Sequence, residues 1–143
     1  MKFMTDFGWY NVNSLVSVDV VAPVVAVESF ESNLANKKFA TNSSVVTLVF
    51  TATDSQVMPT GAPSEVAIGG TTTGLTLKSN VAVVGTNDKS RRYTYEFTVG
   101  AATVDGATIG FWINVTDGAG NPETATSIVN DLVTVGTLSS VFF

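Results

Sequence analysis

The chain has 143 residues, enough for one domain with a hydrophobic core and too few for two of ordinary size. Seven basic and twelve acidic residues give a net charge of −5, which argues against nucleic-acid binding because a phosphate backbone would be repelled. The absence of cysteine and histidine excludes disulfides, thiolate or imidazole catalysis, and the common zinc and copper sites.

Residues 1–21 are interpreted as an apolar N-terminal extension. They carry several aromatic side chains, and valine alternates with polar residues up to Val20. The extension lacks an uninterrupted apolar stretch and a small-residue cleavage site, so it is not interpreted as a signal peptide. No part of the chain reaches the roughly 18 to 20 consecutive apolar residues of a membrane-spanning helix, and we expect no membrane insertion.

Apolar residues recur with a period of two along the rest of the chain, which predicts strands. The predicted strands are 24–30, 44–53, 65–68, 75–77, 81–84, 92–99 and 108–116, followed by one or two return strands within 123–135. A turn is expected at 117–122, where aspartate, asparagine, glycine and proline cluster. The nearest approach to a helical pattern is a single turn around Leu34 and Ala35.

Two segments alternate most regularly. In 92–99 one face carries Tyr93, Tyr95, Phe97 and Val99. In 108–116 the inward face carries Ile109, Phe111, Ile113 and Val115, so Trp112 and Asn114 point to the other side. Seven or eight short strands joined by turns predict an antiparallel β-sandwich of two sheets, with a closed barrel as the alternative fold.

Several turn and core motifs follow one another in a characteristic order. They are Ala22-Pro23-Val24, Ser32-Asn33-Leu34-Ala35, Val46 to Asp54, Val66 to Gly70, Tyr93 to Val99 and Asp117-Gly118-Ala119-Gly120-Asn121. In this order and spacing the chain resembles the bacterial immunoglobulin-like repeats of large surface and adhesion proteins. The resemblance implies an immunoglobulin-like sandwich over 22–135 and a non-catalytic module for display, spacing or adhesion. Members of that family usually occur in tandem, whereas this chain contains one unit and no internal repeat.

Both tails, 1–21 and 136–143, are apolar for free ends. Each either folds back on its own domain or pairs with an open sheet edge of another subunit. The second interpretation predicts a homopolymer joined by donated strands. The residues expected to mediate it are Phe3, Phe7, Trp9, Val16, Val18 and Val20, with Phe142 and Phe143 as a secondary contact.

The 117–121 turn is also the best candidate for a metal site. Its aspartate and asparagine either bond to their own backbone or supply oxygen ligands to calcium. The residues expected to contribute are Asp117, Asn121, Asp54, Asp105 and Glu123. The chain contains no calcium loop of the EF-hand pattern.

The remaining motifs leave further alternatives open. Trp112 is interpreted either as a surface contact or as a side chain packed under a tail. Asn42 and Asn114 begin glycosylation sequons, which matter only in a host that glycosylates exported proteins. The glycine-rich loop at 69–74 lacks the lysine and following helix of a phosphate-binding loop.

We expect no enzyme activity. The sequence favours an extracellular or cell-surface structural module that self-assembles into a fibre or sheath. The alternatives are a virion decoration or tail protein, and an adhesin or carbohydrate-binding module.

Overall fold

The computed structural model describes residues 18–60, 65–70, 74–77, 82–100, 105–128 and 131–136. Within these ranges the protein is all β. The strands are β1 Val24–Ser32, β2 Phe39–Ala40, β3 Val45–Thr53, β4 Glu65–Gly70, β5 Gly74–Leu77, β6 Ala82–Asn87, β7 Ser90–Thr98, β8 Thr108–Thr116, β9 Pro122–Thr126 and β10 Val133–Val135. The described part of the chain has no helix long and apolar enough to span a bilayer.

The strands form two sheets. The first has the order β1-β3-β7-β6, and all of its neighbours are antiparallel. The second has the order β2-β10-β8-β4-β5, in which only the short β2–β10 pair is parallel. Strand β9 pairs with the second half of β8, and β10 pairs with the first two residues of β8.

The hydrophobic core lies between the two sheets. Alternate residues of β3, namely Val46, Leu48, Phe50 and Ala52, are fully buried there. Phe30 of the first sheet packs edge-on against Phe111 of the second, with ring centroids 5.1 Å apart. These contacts make the domain a β-sandwich, as predicted, and not the closed barrel of the alternative interpretation.

Strand β1 contains a bulge that the sequence pattern does not reveal. Its register with β3 shifts between Val27 and Ser29, so that Glu28 is the additional residue. The Glu28 carboxylate accepts a hydrogen bond from Thr51 and pairs with Arg92 at 2.9 Å. After the bulge Phe30 faces the core, whereas the valines before it are partly or largely exposed.

The single helical turn that Leu34 and Ala35 could make does not form. Residues 33–38 form bends and a turn. The buried Ser32 hydroxyl donates to the carbonyl of Phe39 and accepts the N–H of Leu34 at 3.2 Å, and Ser32 N–H bonds to the Lys37 carbonyl at 2.9 Å. A serine that bonds to nearby backbone groups competes with helix formation, which accounts for the difference.

The segment that connects β9 to β10 passes close to Gly110, where the lack of a side chain leaves room for it. Ser127 follows β9 and is bonded to the backbone of Phe111. The Ser127 N–H donates to the Phe111 carbonyl, and the Ser127 hydroxyl oxygen accepts the Phe111 N–H, both at 3.1 Å. A Cβ atom on Gly110 would lie 2.3 Å from Ser127 Oγ and 3.0 Å from Leu132 Cδ2. Glycine is therefore required for this close approach.

Replacing Gly110 by alanine should destabilise the protein by about 1–3 kcal/mol, because the methyl group overpacks the site. Urea unfolding monitored by tryptophan fluorescence measures the change. Gly100→Ala is the matched control, since its Cβ would meet no atom within 4 Å and should change stability by less than about 1 kcal/mol. Equal stabilities of the two variants would contradict this account of Gly110.

Candidate functional site

Three aspartates from distant parts of the sequence meet at one end of the sandwich. Asp19 precedes β1, Asp54 follows β3, and Asp117 follows β8. Each offers one carboxylate oxygen, and the three oxygens lie within 4.8 Å of one another. Because β3 and β8 belong to different sheets, this aspartate cluster connects both sheets and the N-terminal segment, residues 18–23.

The turn that follows β8 fixes Asp117. Its Oδ1 accepts the N–H groups of Ala119 at 2.8 Å and of Asn121 at 2.9 Å, and Gly120 has a φ of 98°. Burial raises the pKa of Asp117, but the hydrogen bonds from Asn121, Ala119 and Gly120 outweigh this effect and leave the pKa lowered. The predicted turn is thus present, and it holds the carboxylate ionised.

Asn121 ties the N-terminal segment to this turn. Its side-chain nitrogen donates to Asp117 Oδ2 at 2.8 Å and lies 3.1 Å from the Asp19 carbonyl and 3.3 Å from the Val21 carbonyl. All three partners are acceptors, which fixes the orientation of the amide. Asn121 therefore faces the aspartate cluster as a donor that positions two of its members, not as an oxygen ligand.

Two oxygens in the cluster are buried and have no hydrogen-bond partner in the described part of the chain, Asp19 Oδ2 and Asp54 Oδ2. The Asp54 residue is only 8% exposed. Its Oδ1 accepts the N–H of Gln56 at 2.9 Å and the hydroxyl of Ser55 at 3.2 Å. Asp19 Oδ1 accepts the N–H of Val21 at 3.1 Å. An unpartnered buried carboxylate oxygen is costly, so these two require an explanation.

An open cleft of about 600 Å³ lies beside the cluster. Asp19 forms part of its wall, together with Gln56, Val57, Met58, Pro59, Gly118 and Ala119. Backbone bonds from Asp54 to Lys89 and from Met58 to Asp88 hold the 54–58 loop against the β6–β7 hairpin. Of the three aspartates, Asp19 lines the cleft, whereas Asp117 directly precedes the wall residue Gly118 in the sequence and Asp54 lies two residues before Gln56.

The structure brings together only part of the predicted metal set. Asp54 and Asp117 belong to the cluster, and Asn121 supports it. Asp105 precedes β8, whereas Asp117 follows it, and a nine-residue strand separates such positions by roughly 30 Å. Glu123 of β9 pairs with Val115 of β8 and lies outside the cluster. Asp19 is not predicted, because the alternation around it indicates a strand and gives no sign of a ligand.

Two of the residues predicted to mediate assembly are described, and both are exposed. Val18 is 81% and Val20 79% accessible to solvent. The other predicted assembly residues, namely Phe3, Phe7, Trp9, Val16, Phe142 and Phe143, lie outside the described residues. Their role stays a prediction.

Trp112 lies on the outer face of β8, as predicted. It is half-buried, and its strand neighbours are Ala67 on β4 and Thr126 on β9. Asn114, on the same face, has a buried Oδ1 without a partner among the described residues, whereas Asn42 is exposed in a turn. Whether Trp112 contacts a ligand or packs under a tail stays a prediction.

No protein-family model matches the chain, and comparisons with curated proteins and with solved structures found no significant match.

Replacing Asn121 by alanine should loosen the N-terminal segment, because it removes the side-chain hydrogen bonds to the Asp19 and Val21 carbonyls. The amide of Val21 should then exchange with deuterium roughly tenfold faster, as expected for about 1.4 kcal/mol of lost hydrogen bonding. Hydrogen exchange measured by NMR tests this. Thr124→Ala, at an exposed position of β9, is the control, and an unchanged Val21 rate in Asn121→Ala would contradict the assignment.

Proposed function

We propose that the chain is a non-catalytic, immunoglobulin-like structural module that self-assembles outside the cell through its N-terminal segment. The observation that carries the proposal is the exposed valine surface, defined as Val18, Val20, Val21 and Val24. Val18, Val20 and Val21 lie on the segment that leads into β1, and Val24 is the first residue of β1.

The strand order supports an immunoglobulin-like assignment. Immunoglobulin constant-type sandwiches have strands A, B, E and D in one sheet and C, F and G in the other. Here β1, β3, β7 and β6 follow the order A-B-E-D, while β4, β8 and the interrupted pair β9 and β10 correspond to C, F and G. Modules of this kind act by presenting surfaces, which fits a chain without histidine or cysteine.

The valine surface supports assembly. Single exposed apolar side chains are ordinary, but here four valines within seven residues are each at least 60% exposed, which is a local concentration of apolar surface. Burial of a valine stabilises an association by roughly 1.5–3 kcal/mol, before the cost of ordering the chain is subtracted. A second copy of the chain offers the same valine surface and the same sheet edges.

Strand β1 supports docking through the backbone. It lies at the end of its sheet, so that its outer backbone groups pair with no other described strand. An edge strand of this kind accepts an added strand through main-chain hydrogen bonds. An apolar segment of another subunit that docks there would bury side chains on the valine surface. Repetition of such a head-to-tail contact makes a fibre unless the subunits close into a ring.

The test is the mass distribution of the full chain by light scattering over a range of concentrations. The intact protein should form polymers, and Val18→Asn/Val20→Asn should shift the distribution to monomers by removing two exposed apolar side chains. Ile128→Asn is the matched control, because Ile128 is 64% exposed elsewhere on the surface, and this variant should still polymerise. A monodisperse intact chain, or polymers unaffected by the double substitution, would overturn the proposal.

A further inference from the structure

We propose that Asp19, Asp54 and Asp117 bind one calcium ion, which fastens the N-terminal segment to the end of the sandwich. The site goes beyond the proposed assembly and does not depend on it. It is carried by the arrangement of three carboxylates and by two buried oxygens that have no partner in the part of the chain that the structure describes.

The spacing of the carboxylates suits calcium. Oxygen ligands lie about 2.3–2.6 Å from Ca²⁺, so that two of them on opposite sides of the ion are roughly 4.6–5.2 Å apart. The three carboxylate oxygens here lie within 4.8 Å of one another. One ion between them can therefore reach all three with small movements of the side chains.

The buried oxygens are an independent indication of a ligand. The turn and loop backbones satisfy Asp54 Oδ1 and Asp117 Oδ1. Asp54 Oδ2, however, has no partner among the described residues, although Asp54 is only 8% exposed. Asp19 Oδ2 is also buried and lacks a partner among the described residues, although Asp19 as a whole is only partly buried. A metal ion supplies the interaction that these oxygens lack.

The charge of the cluster requires a cation. The hydrogen bonds that reach the three carboxylates from the described residues come from neutral donors, which are backbone N–H groups, the Ser55 hydroxyl and the Asn121 amide. These bonds orient the oxygens but do not neutralise three negative charges held this close together. A divalent cation between them offsets two of the three charges and leaves a net charge of −1.

Calcium fits the site better than magnesium. Calcium accepts six to eight oxygen ligands in irregular arrangements, whereas magnesium demands an octahedron with bonds of about 2.0–2.1 Å. Three aspartates from three chain segments form an irregular set, and the adjacent open cleft leaves room for water molecules to complete the coordination. Carboxylate ligands with no nitrogen or sulfur partner also select a hard cation.

The ion would join elements that are distant in sequence. Asp54 and Asp117 extend strands of opposite sheets, and Asp19 belongs to the segment that precedes β1. Binding would thus hold the two sheets together at this end and fix the direction in which the N-terminal segment leaves the domain. An ion that binds only the folded chain stabilises it by RT ln(1 + [Ca²⁺]/Kd), so the gain in stability rises with the logarithm of the calcium concentration above Kd.

The test is isothermal titration of the metal-free full chain with calcium chloride up to about 10 mM, above the 10⁻⁴–10⁻³ M dissociation constants typical of extracellular modules. One calcium should bind per chain, magnesium should bind at least tenfold more weakly, and calcium should raise the midpoint of thermal unfolding. Asp54→Asn and Asp19→Asn should each weaken calcium binding at least tenfold. Asp19 is less buried than Asp54 and precedes the first strand, so its variant should fold even where Asp54→Asn does not.

Asp105→Asn is the matched control, since it removes one carboxylate at the opposite end of β8 and should leave calcium affinity within about twofold. Circular dichroism in the presence of a chelator checks that each variant is folded. Absence of calcium binding to the intact chain would overturn the proposal, as would unchanged affinity in folded Asp19→Asn. Polymer formation by light scattering is a separate reading, so a failure of the calcium site is distinguishable from a failure of assembly.

Discussion

The packing of β3 against β8 across the core is the constraint on which the remaining structure depends. Both strands have nine residues, and both bury alternate side chains with little access to solvent. Since the apolar faces must meet, the lengths of the two strands determine where each leaves the sandwich. Asp54 and Asp117 are the first residues after these strands, and core packing therefore brings their carboxylates together. The position of the aspartate cluster therefore follows from where these two core strands end.

Strand alternation explains which parts of the fold are predictable from the sequence. Strands β3, β7 and β8 are long and regular, so their bounds and buried faces agree closely with the expected ones. The bulge at Glu28 is not predictable, because a single additional residue leaves the composition of β1 unchanged and depends on its pairing with β3. The Ser32 turn escapes prediction for a similar reason, since its bonds reach a carbonyl seven residues away.

The same distinction applies to the candidate site. The 117–121 turn is visible in the sequence because aspartate, glycine and asparagine at these spacings favour one local conformation. Which other carboxylates join it depends on tertiary structure. Asp105 does not belong to the cluster, because a full strand separates it from Asp117. Asp19 does belong to it, because the Asn121 side chain is hydrogen-bonded to the segment before β1 and holds that segment against the turn. Long-range hydrogen bonds of this kind leave no periodic signal in the sequence.

The segment around Asp19 combines two roles because neighbouring side chains have different surroundings. Asp19 belongs to the aspartate cluster, whereas Val18 and Val20 on either side of it face solvent. The alternation that predicts a donated strand is thus the same feature that supplies a carboxylate to the proposed ion. A cation on the inner side would restrict the segment to one path, and a restricted segment loses less conformational entropy when another subunit binds its outer side. The two proposals are chemically independent, but the first residues described at the N-terminus connect them physically.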